Sequence, residues 1–260
     1  MCLRKEYRSL FPQLSPPKAY FPYQYSTGTN FRVAGKGAGP TEKTEILGRL
    51  RLVQRDGCFK LGSETLALGR FATVRKGWKV CDLACGSGAA GLLLLEREAQ
   101  LSLTGVERDP AAAALAEENY TLNGVTGRVL AGDLRDPDLL SAGGFDLVLA
   151  NPPWFPVGAG KSGGAARSEE SCTLEELCRT AARILKNGGR FALVHHPSRL
   201  PELLCDLHLC GIEPKRMQLI QHTLQSRPSA VLVEGVRQGR PGLETLPVLL
   251  QVPPESPVQE

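Results

Sequence analysis

Residues 78–95 of this 260-residue chain read WKVCDLACGSGAAGLLLL. The apolar run Trp78–Ala84 leads into the pattern G-x-G-x-x-G at residues 86–91, which overlaps a second apolar segment, Ala89–Leu95. An apolar run that ends in such a loop is typical of a buried strand followed by a helix, with the loop's N–H groups available to a ligand. The stretch therefore predicts a βα unit with a ligand-binding loop.

Alternating strands and helices continue along the chain. Further strands are predicted at Leu101–Glu107, Arg128–Gly132, Phe145–Ala150 and Phe191–His195. Helices are predicted at Ala111–Leu122, from the Thr173–Glu176 capping box to Gly188–Gly189, and at Pro201–Cys210. Two late strands, Met217–His222 and Ala230–Val236, are too close in sequence for a crossover helix and are predicted to pair antiparallel. The pattern predicts an α/β fold: a doubly wound, Rossmann-like, mostly parallel sheet that ends in an antiparallel hairpin.

The composition is that of an ordinary globular protein. Apolar residues make up 42% and charged residues 22% of the chain, which excludes a fibre, a coiled coil and a wholly disordered chain. No apolar run approaches the roughly 18–20 residues of a membrane span, and the first thirty residues lack the apolar core of a secretory signal. None of the eight cysteines forms a C-x-x-C pair. We therefore expect a cytoplasmic protein with reduced thiols and no metal site.

Charge and composition divide the chain into three parts. Residues 1–45 carry four of the five tyrosines and no persistent helical or strand period, which predicts a flexible basic and aromatic arm. The globular domain is predicted at residues 46–250 and a disordered proline-rich tail at residues 251–260. Residues 1–60 hold eleven lysines and arginines against four acidic residues, whereas residues 81–150 hold four against eleven. The basic part suits a polyanion and the acidic part suits a cationic cofactor.

Three carboxylates at predicted strand ends discriminate between cofactors. Asp82 lies four residues before the first glycine of the loop. It would repel a pyrophosphate there and attract the ammonium and sulfonium groups of S-adenosylmethionine (SAM). Glu107 can accept bonds from both ribose hydroxyls of SAM or of NAD, and Asp133 can accept from an adenine amino group. The carboxylates therefore favour SAM over a nicotinamide cofactor, bound at the carboxyl ends of the strands.

The turn Asn151-Pro152-Pro153-Trp154 follows the predicted strand Phe145–Ala150. Its two prolines fix φ and remove two backbone donors, so carbonyls of the turn are free to face a ligand. The Asn151 side-chain oxygen and the Pro152 carbonyl can hold the two N–H bonds of a conjugated amine, whose lone pair then tilts toward the SAM methyl group. Trp154 offers a flat surface on which a flipped base can stack. The turn predicts methyl transfer to a conjugated amine.

The segment Asp82–Gly88 and the turn Asn151–Trp154 together resemble the motifs of class I SAM-dependent methyltransferases that methylate amino groups. More closely, residues 46–250 resemble the bacterial tRNA1(Val) adenine N6-methyltransferase family. Besides the two motifs, the matching segments are Phe59–Ala72, Ala166–Glu169, Leu185–Leu200, Glu213–Arg216 and Val231–Gly242. The resemblance implies the class I fold with a seven-stranded sheet, SAM as cofactor, tRNA as partner, and N6-methylation of adenine 37 in a valine tRNA.

The residues expected to carry this reaction follow from the motifs. The protein itself is expected to be a monomer. The catalytic residues are expected to be Asn151, Pro152, Pro153 and Trp154. Cofactor contacts are expected from Asp82, Ala84, Cys85, Gly86, Gly88, Glu107, Asp133 and Leu134. Substrate contacts are expected from Trp154, Arg167, Lys215 and Arg216.

Other functions stay open on the sequence alone. Protein glutamine methyltransferases that act on release factors share the Asn-Pro-Pro motif, although residues 1–45 do not resemble their helical amino-terminal domain. A nicotinamide oxidoreductase is opposed by Asp82. A non-catalytic RNA-binding module with a SAM fold would carry a broken motif, and neither motif is broken here. The pair His195-His196 is interpreted as surface or hydrogen-bonded histidine rather than as a metal site.

Overall fold

The computed structural model describes residues 42–58, 60–152 and 172–251. The predicted arm up to residue 41 and the predicted tail from residue 252 lie outside these ranges. In chain order the strands are β1 (Glu42–Leu47), β2 (Leu50–Arg55), β3 (Lys79–Leu83), β4 (Ser102–Glu107), β5 (Gly127–Ala131), β6 (Phe145–Ala150), β7 (Leu185–His195), β8 (Ile212–Gln221), β9 (Ala230–Arg237), β10 (Glu244–Thr245) and β11 (Leu249–Leu250).

The main sheet has the strand order β10-β8-β9-β7-β6-β3-β4-β5, and β11 also pairs with β8. Neighbours from β7 through β6, β3 and β4 to β5 are parallel, whereas β9 lies antiparallel between β7 and β8. The predicted α/β sheet with a late antiparallel hairpin is confirmed, and the two-residue strands β10 and β11 extend its seven long strands. Because β3 to β7 are parallel, their carboxyl ends meet at one edge of the sheet.

Helices cover both faces of the sheet, which makes it doubly wound. They are α1 (Ser63–Phe71), α2 (Ala89–Arg97), α3 (Pro110–Leu122), α4 (Leu174–Ile184) and α5 (Leu200–Leu209). On one face, Leu68 of α1, Leu92 of α2 and Tyr120 of α3 belong to a single buried cluster. On the other face, Leu177 of α4 and Leu207 of α5 belong to a second cluster. In the described part of the chain, no helix is both long enough and apolar enough to cross a bilayer.

The helix starts follow local sequence signals. Asp109 caps α3 by accepting from the Ala111 N–H group at 2.8 Å, and Pro110 occupies the first helical position. Thr173 and Glu176 form the predicted capping box of α4. Each cap satisfies backbone donors that the first turn of a helix leaves unpaired. The local prediction of these two helix starts is confirmed.

The end of α4 differs from the prediction. The helix ends at Ile184 and not at Gly188–Gly189, because Leu185 already has an extended backbone (φ −70°, ψ 143°) and begins β7. The register then shifts beside β6, where Phe145 pairs with Leu185 but Leu147 pairs with Arg190. The glycine pair therefore lies in an irregular part of a strand.

The hairpin of β1 and β2 is absent from the sequence prediction and crosses the domain boundary predicted at residue 46. Asn119 of α3 binds its free edge. The Asn119 Oδ1 atom accepts from the Val53 N–H group at 2.8 Å, and its Nδ2 atom donates to the Val53 carbonyl at 3.0 Å. The same Nδ2 atom donates to the Ser87 carbonyl at 3.0 Å. The hairpin is thus linked through Asn119 to the glycine-rich loop.

Candidate active site

A cavity of about 680 Å³ opens at the carboxyl ends of β3 to β7. Its volume lies in the roughly 300–1,000 Å³ range of ligand pockets. The strands β3, β4 and β5 bring most of the predicted cofactor residues to its wall: Asp82, Ala84, Cys85, Gly86, Glu107, Asp133 and Leu134. From the β6 side come Asn151 and Pro152, and β7 contributes His195. The structure thus brings most of the predicted cofactor residues and the first two residues of the predicted turn, Asn151 and Pro152, to one cavity.

The loop after β3 brings its backbone close to this cavity. Gly88 begins α2 with a left-handed backbone (φ +80°), and a Cβ atom there would lie 2.7 Å from the Tyr120 Cε1 atom. A larger residue would therefore be strained and would clash with the core. Ala84, just ahead of the loop, also has a positive φ of 56°. Glycine at position 88 therefore allows the turn and its close packing on Tyr120, while Ala84 to Ser87 line the cavity.

Glu107 holds this loop in place from the end of β4. One carboxylate oxygen accepts from the Gly86 N–H group at 2.9 Å, and the other accepts from the Asp109 N–H group at 2.9 Å. Each oxygen keeps a further lone pair for another donor. The side chain can therefore fix the backbone and still accept from two ligand hydroxyls.

Asp82 is a buried carboxylate at the end of β3, with a relative exposure of 2%. Its Oδ2 atom accepts from the Gly91 N–H group at 3.1 Å. Burial raises the pKa of Asp82 to about 7; the Gly91 hydrogen bond opposes this shift, and the nearby Glu107 carboxylate adds to it. A cationic ligand group beside Asp82 would stabilise its ionised form.

Asp133 lies on the cavity wall after β5, paired with Arg135. The Arg135 Nε atom donates to Oδ1 at 2.9 Å and its Nη2 atom donates to Oδ2 at 2.6 Å. These hydrogen bonds lower the pKa of Asp133. The carboxylate is therefore ionised at neutral pH. Because the Arg135 backbone N–H group also donates to Oδ1, at 2.9 Å, the lone pair left for an adenine amino group is on Oδ2.

The Asn151 side chain is oriented by α1. Its Nδ2 atom donates to the Thr65 Oγ1 atom at 2.9 Å. Thr65 lies in the first turn of α1 with a relative exposure of 4% and also lines the cavity. With Nδ2 engaged in this way and no partner of Oδ1 among the described residues, the Asn151 Oδ1 atom can accept from a ligand amine. The predicted partners Pro153, Trp154 and Arg167 lie outside the described residues.

Comparison with known proteins identifies the family. Residues 56–205 match the family described as the methyltransferase small domain. The chain belongs to this family. The methyltransferase is 31% identical over 195 residues to a Porphyromonas gingivalis protein named tRNA1(Val) (adenine(37)-N6)-methyltransferase, an alignment that covers 70% of this chain and 76% of the relative. It therefore also belongs to the family of that relative, as the sequence motifs predicted.

Two further comparisons agree with this assignment. A Tolumonas auensis relative with the same name is 32% identical over 149 residues, which cover 55% of this chain and 62% of the relative. The solved structure of a predicted O-methyltransferase from Agrobacterium tumefaciens has a TM-score of 0.59 at 22% identity, covering 75% of this chain and 90% of that one. The second likeness shows the class I methyltransferase fold. The predicted enzyme class, a SAM-dependent methyltransferase, is confirmed.

The methyltransferase does not bring Lys215 and Arg216 to the cavity. The Arg216 Nη2 atom donates to the Phe71 carbonyl at 2.9 Å and to the Glu234 carboxylate at 3.1 Å. Glu234 is fully buried in β9, and a buried carboxylate requires a cationic partner. The Lys215 Nζ atom donates to the Arg240 carbonyl at 3.1 Å. Arg216 thus anchors the end of α1, where the sequence had predicted a contact to an RNA phosphate.

Thr65 and His195 are among the cavity residues of the methyltransferase that sequence reasoning missed. His195 has a relative exposure of 1%, and its Nδ1 atom has no hydrogen-bond partner in the described part of the chain. His195 is therefore not a surface residue. Its position at the end of the predicted strand Phe191–His195 was the available signal, because strand ends line ligand sites in this fold.

Reactive cysteine and metal chemistry find no support among the described residues. Burial raises the pKa of the Cys85 thiol well above its usual range, and nearby carboxylates add to the shift. The thiol is therefore protonated and a poor nucleophile. In the described ranges, no group of three or more His, Cys, Asp and Glu side chains is arranged to hold a metal ion.

Proposed function

We propose that this methyltransferase transfers a methyl group from SAM to the exocyclic N6 atom of an adenine in tRNA. The observation that carries the proposal is the Asn151 amide at the cavity wall, with Nδ2 bound to Thr65 and Oδ1 left for an amine. Relatives named for adenine 37 of tRNA1(Val) support the finer form of the proposal, in which that nucleotide is the target.

The proposed cofactor residues fit SAM chemically. Buried Asp82 would face the cationic methionine end, and Glu107 would accept from the ribose hydroxyls. Asp133 would accept from the adenine amino group, beside the loop residues Ala84, Cys85 and Gly86 and the neighbouring Leu134. Gly88, which allows the turn of the loop, is the remaining proposed cofactor residue. When bound, SAM supplies an electrophilic methyl carbon on a sulfonium. The chain's part is to bind this group and to exclude water around it.

The acceptor amine is proposed to bind between two oxygens. The Asn151 Oδ1 atom and the Pro152 carbonyl would accept its two N–H bonds, so that the nitrogen lone pair turns out of the plane of the ring. An exocyclic amine is a weak nucleophile because its lone pair is delocalised into the ring. Turning the lone pair out of the ring plane reduces this delocalisation and makes the nitrogen more nucleophilic. The contribution is positioning and electrostatic stabilisation. The methylated amine is at first cationic and acidic, so it would lose its extra proton to water and no strong base is required.

The remaining substrate contacts belong to the same proposal. Trp154 would stack on the flipped base beside Pro153, and Arg167 and Lys215 would contact phosphates. The basic part of the chain, residues 1–60, would add attraction to the polyanion. We propose a monomeric cytoplasmic enzyme with tRNA as its partner.

A competition between two acceptors tests the proposal. One wild-type preparation is given methyl-labelled SAM together with unmodified tRNA and a release factor, and label is counted in each. We expect label in the tRNA. Label only in the protein would overturn the RNA assignment in favour of glutamine methylation. If label enters neither acceptor while SAM binds, a non-catalytic binding module becomes the better account.

A further inference from the structure

His195 lies on the opposite side of Asn151 from the proposed cofactor carboxylates. The central strand order β7-β6-β3-β4-β5 places His195 at the end of β7 and Asn151 just after β6. Asp82 and Glu107 lie at the ends of β3 and β4. A ligand that spans the cavity therefore meets its carboxylates at one end and His195 at the other.

The His195 imidazole is buried with one of its nitrogens unpaired. It lines the cavity, yet its Nδ1 atom has no hydrogen-bond partner among the described residues. Buried polar atoms in native proteins almost always have a partner, and an exception points to a ligand, a water or a functional role. Among the described residues the buried Tyr120 Oη and Gln251 Nε2 atoms are also unpaired, but neither residue lines the cavity. Of these three residues, His195 is the one on the cavity wall.

Burial is the main reason that His195 is neutral. Burial, together with the nearby Arg199 charge, lowers the pKa of His195 to about 4, while the His196 backbone and Glu202 oppose the shift. Arg199 itself is paired with Glu202, to which its Nε atom donates at 2.6 Å. A neutral imidazole offers one N–H donor and one lone pair. It can therefore recognise an uncharged polar group without introducing a charge beside the cationic methyl donor.

We propose that His195 is a further acceptor-binding residue, whose Nδ1 atom hydrogen-bonds the polar edge of the base that is methylated. The choice of a nucleobase rests on the proposed function. In adenine the carbon that carries the amino group is flanked by a ring nitrogen, so a polar contact there would fix the rotation of the ring. Asn151 and Pro152 would hold the amine while His195 holds the ring.

Paired substitutions test this role by kinetics. His195→Leu removes the polar atom, whereas His195→Asn keeps one near the position of Nδ1. We expect kcat/KM for tRNA to fall about ten- to a hundredfold in His195→Leu, because the polar edge of the bound base would be left without its hydrogen-bond partner. His195→Asn should recover most of this loss, and the dissociation constant for SAM should not change in either variant.

If His195 had only a structural role, its substitution would lower the melting temperature. Because Nδ1 has no partner among the described residues, we expect instead that His195→Leu melts near the temperature of the wild type. The matched control is His208→Leu, at a side chain that is 71% exposed and lies beside Glu213 at the amino end of β8. Unchanged kcat/KM in His195→Leu, or a loss that His195→Asn does not recover, would overturn the inference.

Nitrogen NMR of the four histidines gives an independent readout. The spectrum of ¹⁵N-histidine enzyme is recorded alone, with S-adenosylhomocysteine, and then with unmodified tRNA added. We expect the His195 signals, assigned with His195→Asn, to move on addition of tRNA and not with the cofactor product alone. A shift with the cofactor product and none with tRNA would overturn the inference and place His195 in the cofactor site.

Failure of the inference can be separated from failure of the proposed function. If the competition assay labels a release factor and no tRNA, the proposed function is wrong, and the spectrum is recorded with the release factor instead. His195 signals that respond to no methylated acceptor would overturn the inference alone. If the His195 signals respond to the release factor, His195 lies in the acceptor site but does not contact a nucleobase. The inference as stated would then fail together with the proposed tRNA methylation.

Discussion

The Asn151 Nδ2 atom lies 2.9 Å from the Thr65 Oγ1 atom and donates to it. The two residues are 86 positions apart in the sequence, so the contact exists only because α1 packs beside the end of β6. A primary amide has one donor end and one acceptor end. By taking the donor end, Thr65 presents the acceptor end of Asn151 to the cavity.

Removing the Thr65 hydroxyl should therefore slow methyl transfer without weakening SAM binding. In Thr65→Val the partly buried Asn151 amide loses its partner, which costs about 1–3 kcal/mol, and the amide can rotate. If this free energy is lost from the transition state, kcat should fall about ten- to a hundredfold. Thr65→Ser keeps a hydroxyl and should retain most activity. Steady-state kinetics with SAM titration by calorimetry checks this, and full activity in Thr65→Val would refute the orienting role.

Glu107→Gln should weaken SAM binding through the loop. Both Glu107 oxygens accept backbone N–H groups, from Gly86 and Asp109. A glutamine side chain has one acceptor oxygen, so its NH2 group would face one of these donors. We expect SAM affinity to drop about tenfold to a hundredfold, since charge-assisted bonds contribute roughly 1.5–3 kcal/mol. Calorimetry measures the effect against Glu175→Gln, an exposed acid on α4; equal affinities in the two variants would contradict it.

Asp82 makes SAM binding dependent on pH. Its pKa of about 7 means that the empty site is mostly protonated at pH 6, whereas a cationic ligand favours the carboxylate. Affinity should therefore decline by up to about tenfold per pH unit below 7, and binding at pH 6 should release a proton. Titrations in two buffers with different ionisation enthalpies detect that proton. Affinity that is flat from pH 6 to 8 would exclude Asp82 as the titrating group.

The stability of the unliganded protein should show the opposite trend with pH. Because burial raises the folded-state pKa of Asp82 above its unfolded value, the stability that its protonated form provides is lost as pH rises through about 7. Asp82→Asn stays neutral and should accept from the Gly91 N–H group in the same way. We expect this variant to melt higher than the wild type at pH 8 and close to it at pH 5. A lower melting temperature at pH 8 would contradict the assigned burial cost.

Much of the sheet could be predicted because its elements carry local signals. The Asp109 cap, the Thr173 capping box and the glycine loop each specify an element end within a few residues. The β1–β2 hairpin had no such signal, since its charged residues alternate poorly and its partner is Asn119, 66 residues from Val53. Gly188 suggested a helix end, but pairing of β7 with β6 extends the strand back to Leu185.

Site residues could be predicted where they belong to a sequence motif. Residues that reach the site only through the packing of distant elements could not be predicted. Asp82, Glu107 and Asn151 follow strands directly and reach the cavity as predicted. Thr65 has no motif, because its role comes from the placement of α1. The pairing of Arg216 with Glu234 could not be predicted, because the sequence does not reveal that Glu234, on the neighbouring strand, is buried.

Substitution of Trp154, the proposed stacking residue, distinguishes a nucleobase acceptor from an amide acceptor. A flipped purine loses its stacking in RNA, and an aromatic face at the site offsets that loss by about 1–3 kcal/mol. Trp154→Ala should therefore reduce kcat/KM for tRNA about ten- to a hundredfold, and Trp154→Tyr should retain most activity. Kinetics on the same tRNA preparation compares the two variants. Equal activity in all three proteins would remove the stacking role.

The identity of the methylated nucleoside tests the central claim most directly. Unmodified tRNA is incubated with the enzyme and labelled SAM, digested to nucleosides and separated by liquid chromatography with mass detection. The account predicts N6-methyladenosine from the wild type, and about 10²–10³-fold less from Asn151→Ala with SAM binding retained, the usual loss when one preorganised polar partner is deleted. A ring-nitrogen or 2′-O-methyl product would contradict the account, because neither acceptor is an amine with two hydrogens for Asn151 and Pro152 to hold.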